Sequence, residues 1–187
     1  MSKTLFEIPT SVSLVGCIAF GLIDRGTNVI QVRPISTCPL SCIFCSTNAG
    51  PKSKIRQTEY IVPLDYLVEE FGKIVAFKGG NRIEAHIDTV GDPVTYPKIV
   101  ELISYLSQID GVETVSMQTH GSILNAKLMD RLSDAGLTRI NLSLDALEPK
   151  LAKELADTES YNIKKIIELM NHIVSNTKTN LLVAPVW

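Results

Sequence analysis

Three cysteines stand within eight residues of one another, in the segment Cys38-Pro39-Leu40-Ser41-Cys42-Ile43-Phe44-Cys45. This C-x3-C-x2-C spacing comes shortly after a mostly apolar run, residues 29–32, that is typical of a β-strand. Thiolates packed this closely in one loop can ligate a single metal centre. Because three ligands rather than four leave one coordination position open, that open position is the main functional clue in the sequence.

Two alternative interpretations of the cysteine segment fill the fourth coordination position with a ligand from elsewhere in the chain. A zinc ion held with His86 or His120 would make the protein a zinc-stabilised binding module without catalysis. Ligation by Cys17 would instead close an iron–sulfur cluster and make it an electron carrier. Cys17 belongs to a predicted hairpin before the cysteine segment, and we expect it to be a small buried hydrophobic residue.

Composition narrows the class of protein. The chain has 187 residues, of which 45% are hydrophobic and 20% charged, so we expect one large domain, or a domain and a fraction, with a true core. Its net charge of −2 gives no sign of a broad nucleic-acid or membrane surface. The clustering of three of the four cysteines favours a reducing compartment, hence the cytoplasm. The apolar stretch at 12–23 is too short to span a bilayer and a poor signal peptide.

Strands and helices alternate along most of the sequence. A turn at Asp24–Thr27 predicts a hairpin, and the polar residues 49–59, including Lys52, Lys54 and Arg56, predict an exposed loop. Strands are predicted at 28–32, 82–88, 112–119, 138–144 and 179–186, and helical periodicity is found at 64–78, 97–106, 125–135 and 163–174. Asn125 is the predicted N-cap of the third helix.

This alternation predicts an α/β fold in which parallel strands curve into an incomplete (β/α) TIM-like barrel, preceded by an N-terminal β-hairpin. We divide the chain into a hairpin extension at 1–27 and a C-terminally truncated core at 28–187. Five parallel strands do not close a barrel, and the last would be a bare edge. We therefore expect a missing C-terminal segment, or a neighbouring chain, to cover the last strand.

Polar clusters follow four of these strands. The carboxyl ends of parallel strands meet at one face of a barrel, where the chemistry of such folds takes place. Besides the cysteines, the clusters comprise Asp88 to Pro93, Gln118 to Gly121, and the residues Asn141, Ser143 and Asp145.

With these residues the sequence resembles the radical S-adenosylmethionine superfamily, because the C-x3-C-x-aromatic-C motif is complete and Phe44 occupies its aromatic position. The resemblance spans about residues 28–186. It implies that Cys38, Cys42 and Cys45 hold three irons of a 4Fe–4S cluster, while S-adenosylmethionine chelates the fourth. It further implies an external electron donor and reductive cleavage of S-adenosylmethionine to a 5′-deoxyadenosyl radical, which abstracts hydrogen from a substrate.

The resemblance also suggests which residues bind S-adenosylmethionine. Gly91-Asp92-Pro93 aligns with the family's Gly-Gly-Glu type of motif, which meets the methionyl amino group, although Val90 replaces the first glycine. Because aspartate is shorter than glutamate, backbone carbonyls are expected to contribute. A simple turn is the alternative interpretation.

The later strand ends would meet the rest of the cofactor. Ser143 and Asp145, with Asn141, correspond to residues that bind ribose hydroxyls, although Asp145 could instead cap a helix. Thr119-His120-Gly121 resembles the family's Thr-Asn-Gly type of turn. The overall pattern is similar to archaeal or bacterial members related to the molybdenum-cofactor and peptide-modifying branches. It leaves the substrate open between an RNA, a peptide and a small metabolite.

Overall fold

The structure is a computed structural model that describes residues 3–185. Its strands are β1 (Thr4–Glu7), β2 (Gly21–Asp24), β3 (Val29–Arg33), β4 (Thr58–Ile61), β5 (Ile83–Ile87), β6 (Val112–Thr119), β7 (Arg139–Leu142) and β8 (Asn180–Val183). Its α-helices are α1 (Leu64–Phe77), α2 (Ile99–Ser107), α3 (Ala126–Asp134), α4 (Pro149–Ala156) and α5 (Ile163–Asn176). One turn of 3-10 helix, Pro93–Thr95, follows β5.

Six of the strands form one sheet in the order β2-β3-β5-β6-β7-β8. β2 and β3 are the antiparallel arms of the predicted hairpin, and every later pair in this sheet is parallel. The sheet is open between β2 and β8, so the barrel is incomplete as predicted. The hairpin and the parallel series share this sheet, and the division at residue 27 remains a prediction.

The two faces of the sheet differ in chemistry because successive side chains in a strand point to opposite sides. In β5, Ile83, Ala85 and Ile87 are buried in the main hydrophobic core, together with apolar residues of α1, α2 and α3. Glu84 and His86 point to the other side and are only partly buried. The helices therefore cover the apolar face, and the opposite face is polar.

Local signals place the helices as the sequence predicted, with one exception. The side chain of Asn125 accepts a hydrogen bond from the backbone N–H of Leu128, which confirms it as the N-cap of α3. The exception is α4, which sequence periodicity missed. It begins at Pro149 and is capped by Glu148, whose carboxylate accepts from two backbone N–H groups of the first turn.

The predicted loop at 49–59 is wrong at both ends. Ala49 and Gly50 are buried, and Thr58 and Glu59 belong to β4, which pairs in parallel with β1 as a two-stranded ribbon. Cys17 is partly exposed rather than buried. Within residues 3–185, no helix is long and apolar enough to cross a membrane.

Candidate active site

Cys38, Cys42 and Cys45 line one cavity of about 330 Å³ at the carboxyl end of the sheet. The loop after β5, with Gly91, and the turn after β6, with His120, form its other walls. The structure therefore brings together three of the four clusters that the sequence pattern predicted. Phe44 also lines this cavity and is 39% exposed.

The loop that carries the three cysteines, residues 37–50, is called the cysteine loop. It packs on α4 and on a second, smaller hydrophobic core. Leu40 is 2% exposed in that core, next to Leu142 of β7. The backbone N–H groups of Ser41 and Ile43 donate to carbonyls in the last turn of α4, at 3.1 and 2.9 Å. A Cβ on Gly50 would lie 2.3 Å from the carbonyl oxygen of Leu40, so only glycine allows this approach. The missed helix is thus a support of the loop.

The three thiols lie in different electrostatic surroundings. Burial raises the pKa of Cys38 to about 12, and the nearby charge of Asp92 adds to the rise. Burial and the charge of Cys45 raise the pKa of Cys42 to about 11. Burial acts in the same direction on Cys45, but hydrogen bonding with the Thr47 side chain and with the N–H groups of residues 47–49 outweighs it and lowers its pKa. Of the three thiols, Cys45 is therefore the one whose surroundings most favour the thiolate form.

Asp92 is a buried hub between the loop after β5 and the end of β6. Asp92 is only 1% exposed. Its two carboxylate oxygens accept from the Thr119 hydroxyl at 2.9 and 3.0 Å. It also accepts from the backbone N–H groups of His120, at 3.2 Å, and Val94, at 3.1 Å. The carboxylate is thus used within the protein, and the residues of this loop that line the cavity are Thr89, Val90 and Gly91.

Gly91 lies against the backbone that leads into Cys38. A Cβ at this position would lie 2.2 Å from the carbonyl oxygen of Thr37 and 2.4 Å from that of Ser36. The neighbouring N–H of Asp92 donates to the same Thr37 carbonyl at 2.8 Å. Because no side chain fits between them, the cysteine loop and the Gly91 loop are in direct backbone contact.

The residues predicted to meet a ribose lie beside this site on β7 and just beyond it. Ser143 is 5% exposed, and its hydroxyl accepts from the amide of Gln118 at 3.0 Å. Asn141 is 8% exposed, and its side-chain oxygen accepts from Arg139 at 3.2 Å. Asp145 lies close enough to Cys42 for its charge to contribute to the raised pKa of that thiol. The structure thus brings Asp145 towards the cysteines, and Ser143 and Asn141 form hydrogen bonds with side chains of the sheet.

Sequence reasoning missed two groups of charged residues. On the polar face of the sheet, Glu84 pairs with Arg139 and accepts from Ser116, whose hydroxyl also bonds His86 at 2.7 Å. Behind the cysteine loop, Glu59 accepts from Arg56 at 2.6 Å and from Lys3 at 2.7 Å. The sequence carried a signal for the first group only, in the polar residues that alternate along β5 and β6.

The family model of the Radical SAM superfamily matches residues 32–186 of this chain. The chain belongs to that superfamily. The matched region contains all three cysteines and runs from β3 through β8, so it covers the six-stranded sheet apart from β2 and the start of β3.

Among curated proteins, the chain is 49% identical over 185 residues to an uncharacterized protein of Methanocaldococcus jannaschii, covering 98% of this chain and 42% of that protein. It is 30% identical over 145 residues to the GTP 3′,8-cyclase of Alkaliphilus metalliredigens, covering 78% of this chain and 42% of the cyclase. The chain therefore spans less than half the length of these relatives.

Among solved structures, the chain is similar to BtrN in complex with AdoMet and 2-DOIA. The TM-score is 0.62 at 14% identity, over 87% of this chain and 58% of that one. At this level of identity the likeness shows the shared fold, a partial (β/α) barrel.

Radical SAM proteins use a 4Fe–4S cluster and S-adenosylmethionine. Within residues 3–185, no three His, Cys, Asp or Glu side chains are arranged to hold one metal ion. A 4Fe–4S cluster takes each thiolate on a separate iron, and the three cysteines line one cavity, so the residues present fit that group.

Proposed function

We propose that this chain is the cofactor-binding core of a radical S-adenosylmethionine enzyme. The observation that carries the proposal is the single cavity lined by all three cysteines and by the Gly91 loop. When bound, the 4Fe–4S cluster and S-adenosylmethionine supply reductive cleavage of the sulfonium to a 5′-deoxyadenosyl radical, which abstracts hydrogen from the substrate.

In this proposal, Cys38, Cys42 and Cys45 hold the cluster, and backbone groups of Gly91, Asp92 and Pro93 receive the methionyl amino group. The role of Asp92 is to hold that loop against β6, since its carboxylate accepts from Thr119 and His120. The hydroxyl and carboxylate oxygens of the later strand ends suit the two hydroxyls of a ribose.

The residues on the β7 side of the cavity would bind the nucleoside part of the cofactor. Ser143 and Asp145, supported by Asn141, are proposed to meet the ribose, and Phe44 offers an exposed ring at the cavity wall. Thr119 contributes indirectly through its bonds to Asp92. These assignments follow from position on the sheet and from the chemistry of each side chain.

We propose an external electron donor and a cytoplasmic location, because the reaction needs a reductant and the thiols need a reducing compartment. Among residues 3–185, β8 pairs only with β7, so a further strand from a longer chain or a neighbouring chain is proposed to cover its open edge. For the substrate, a small metabolite is favoured over an RNA or a peptide, because the named relatives include GTP 3′,8-cyclases.

Anaerobic reconstitution tests the proposal. The purified chain, given iron and sulfide, should bind about four irons, as one 4Fe–4S cluster requires. With dithionite and S-adenosylmethionine it should then release 5′-deoxyadenosine. A variant with all three cysteines changed to alanine is the control and should bind no cluster. A fully loaded cluster without any cleavage would refute the proposal, and one zinc with no iron would favour the non-catalytic binding module.

A further inference from the structure

Arg56 lies where three separate segments meet behind the cysteines. One guanidinium nitrogen donates to the carbonyl of Val90, in the loop after β5, at 3.0 Å. The other donates to the carbonyl of Ser36, just before the cysteine loop, at 2.6 Å. A longer contact of 3.4 Å reaches the carbonyl of Thr47, two residues after Cys45. One planar group thus joins the cysteine loop to the Gly91 loop.

A buried carboxylate fixes the position of this guanidinium. Glu59 is 2% exposed and accepts from Arg56 at 2.6 Å, from Lys3 at 2.7 Å and from the Ser36 hydroxyl at 2.6 Å. Lys3 in turn donates to the carbonyl of Ala49, in the cysteine loop, at 2.6 Å. The side chains of Arg56 and Lys3 are each only 16% exposed, so bulk water screens this network weakly.

Thr47 extends the same bridge to a thiol. Its hydroxyl donates to the Val90 carbonyl at 2.8 Å, the same oxygen that Arg56 contacts. The hydroxyl oxygen also lies 3.3 Å from the sulfur of Cys45. A displacement of Arg56 would therefore move both the backbone beside Gly91 and the surroundings of Cys45.

We propose that Arg56 is a positioning residue that holds the cysteine loop and the Gly91 loop in register, with Glu59 as its anchor. The inference rests on the proposed function, in which one loop holds the cluster and the other receives S-adenosylmethionine. Arginine suits this role because its fork donates in several fixed directions at once, whereas a lysine ammonium is a single point of charge. Arg56 acts through backbone carbonyls and is not among the residues that line the cavity.

Four variants separate this role from general stability and from charge alone. Arg56→Met removes the guanidinium group together with its charge, and Arg56→Lys keeps the charge without the guanidinium geometry. Lys54→Met is the matched control, because it removes an exposed cation from the same loop. Thr47→Val preserves the shape of Thr47 and removes its hydroxyl bond to Val90, so it tests the bridge if Arg56→Met does not fold.

The first measurement uses the metal-free chain. Hydrogen exchange should be faster at residues 45–51 and 89–92 in Arg56→Met and Arg56→Lys, with unchanged protection in β6. Thr47→Val should accelerate exchange in the same segments to a smaller extent, and Lys54→Met should match the wild type. Uniform loss of protection in β6 as well, or unchanged exchange in both loops, would overturn the inference.

The second measurement uses the reconstituted chain. Arg56→Met and Arg56→Lys should retain wild-type iron but bind S-adenosylmethionine about tenfold more weakly, the effect of losing a charge-assisted hydrogen bond. The change that S-adenosylmethionine causes in the electron paramagnetic resonance spectrum of the reduced cluster should require correspondingly more ligand. Wild-type affinity in Arg56→Met, or full rescue by Arg56→Lys, would refute the positioning role. If the wild type itself loads no iron, the proposed function fails, while the exchange experiment still decides whether Arg56 bridges the loops.

Discussion

Two carboxylates lie beside the candidate site, and they are held by opposite kinds of partner. Asp92 is 1% exposed, and its partners among residues 3–185 are neutral donors, namely the Thr119 hydroxyl and backbone N–H groups. Glu59 is 2% exposed and accepts from two cations, Arg56 and Lys3, as well as from a serine hydroxyl. The two carboxylates are almost equally buried. Substitutions of Asp92 and Glu59 should therefore differ in their cost because they leave different partners unpaired, neutral donors in one case and cations in the other.

Asp92 and Glu59 also differ in the segments that they connect around the cysteines. The Asp92 hub joins neighbouring strands β5 and β6, whose ends are already close because the strands are paired. The Glu59 network connects segments that lie beyond the ends of paired strands. Lys3 precedes β1, which pairs with β4, and the cysteine loop and the Gly91 loop follow the paired strands β3 and β5. Strand pairing therefore contributes to positioning in both places. Asp92 adds hydrogen bonds from neutral donors, whereas the Glu59 network adds cations that reach backbone carbonyls of the loops.

The largest expected effect is the loss of Glu59. Glu59→Leu leaves the partly buried Arg56 and Lys3 without a counter-charge, and removal of one partner from a buried ion pair costs about 3–5 kcal/mol of unfolding free energy. Urea unfolding of the metal-free chain measures this cost. Glu69→Gln is the control, because the Glu69 side chain is 64% exposed and pairs with Lys73 on the surface of α1. A loss below about 1 kcal/mol for Glu59→Leu, comparable with an exposed pair, would show that the network is not a structural anchor.

An intermediate effect is expected for Asp92. In Asp92→Asn an amide group replaces one carboxylate oxygen, so a donor faces either Thr119 and Val94 or the N–H of His120. Leaving a buried donor unsatisfied costs about 1–3 kcal/mol, less than stranding two cations. The same urea experiment, run beside Glu59→Leu, tests the order of the two. If Asp92→Asn proved the more damaging, the neutral hub rather than the charged network would be the main support of the site.

The contrast between Asp92 and Glu59 also explains which parts of the fold and of the candidate site could be predicted from the sequence. The parallel strands, the cap at Asn125 and the cysteine motif are local patterns, and the structure contains them nearly as predicted. In β4 the alternation misleads, because the residue that points inward is the charged Glu59 while Thr58 is exposed. Its partner Lys3 is 56 residues away in sequence, so nothing local identifies the pair. α4 was missed because two of its buried residues are alanines, which give weak periodicity.

The smallest expected effect is at Thr119 and sharpens the description of the neutral hub. In Thr119→Val the shape of the side chain is kept, and each oxygen of Asp92 still has one backbone donor, from Val94 and from His120. The variant also removes the acceptor of the Gly121 N–H, which donates to the Thr119 hydroxyl oxygen at 2.9 Å, so the cost should be about 1–2 kcal/mol. Combining it with Asp92→Asn in a double-mutant cycle should give a coupling of about 1 kcal/mol, because the two side chains are in contact. A coupling near zero would mean that backbone donors alone hold Asp92, and that Thr119 has no part in positioning the Gly91 loop.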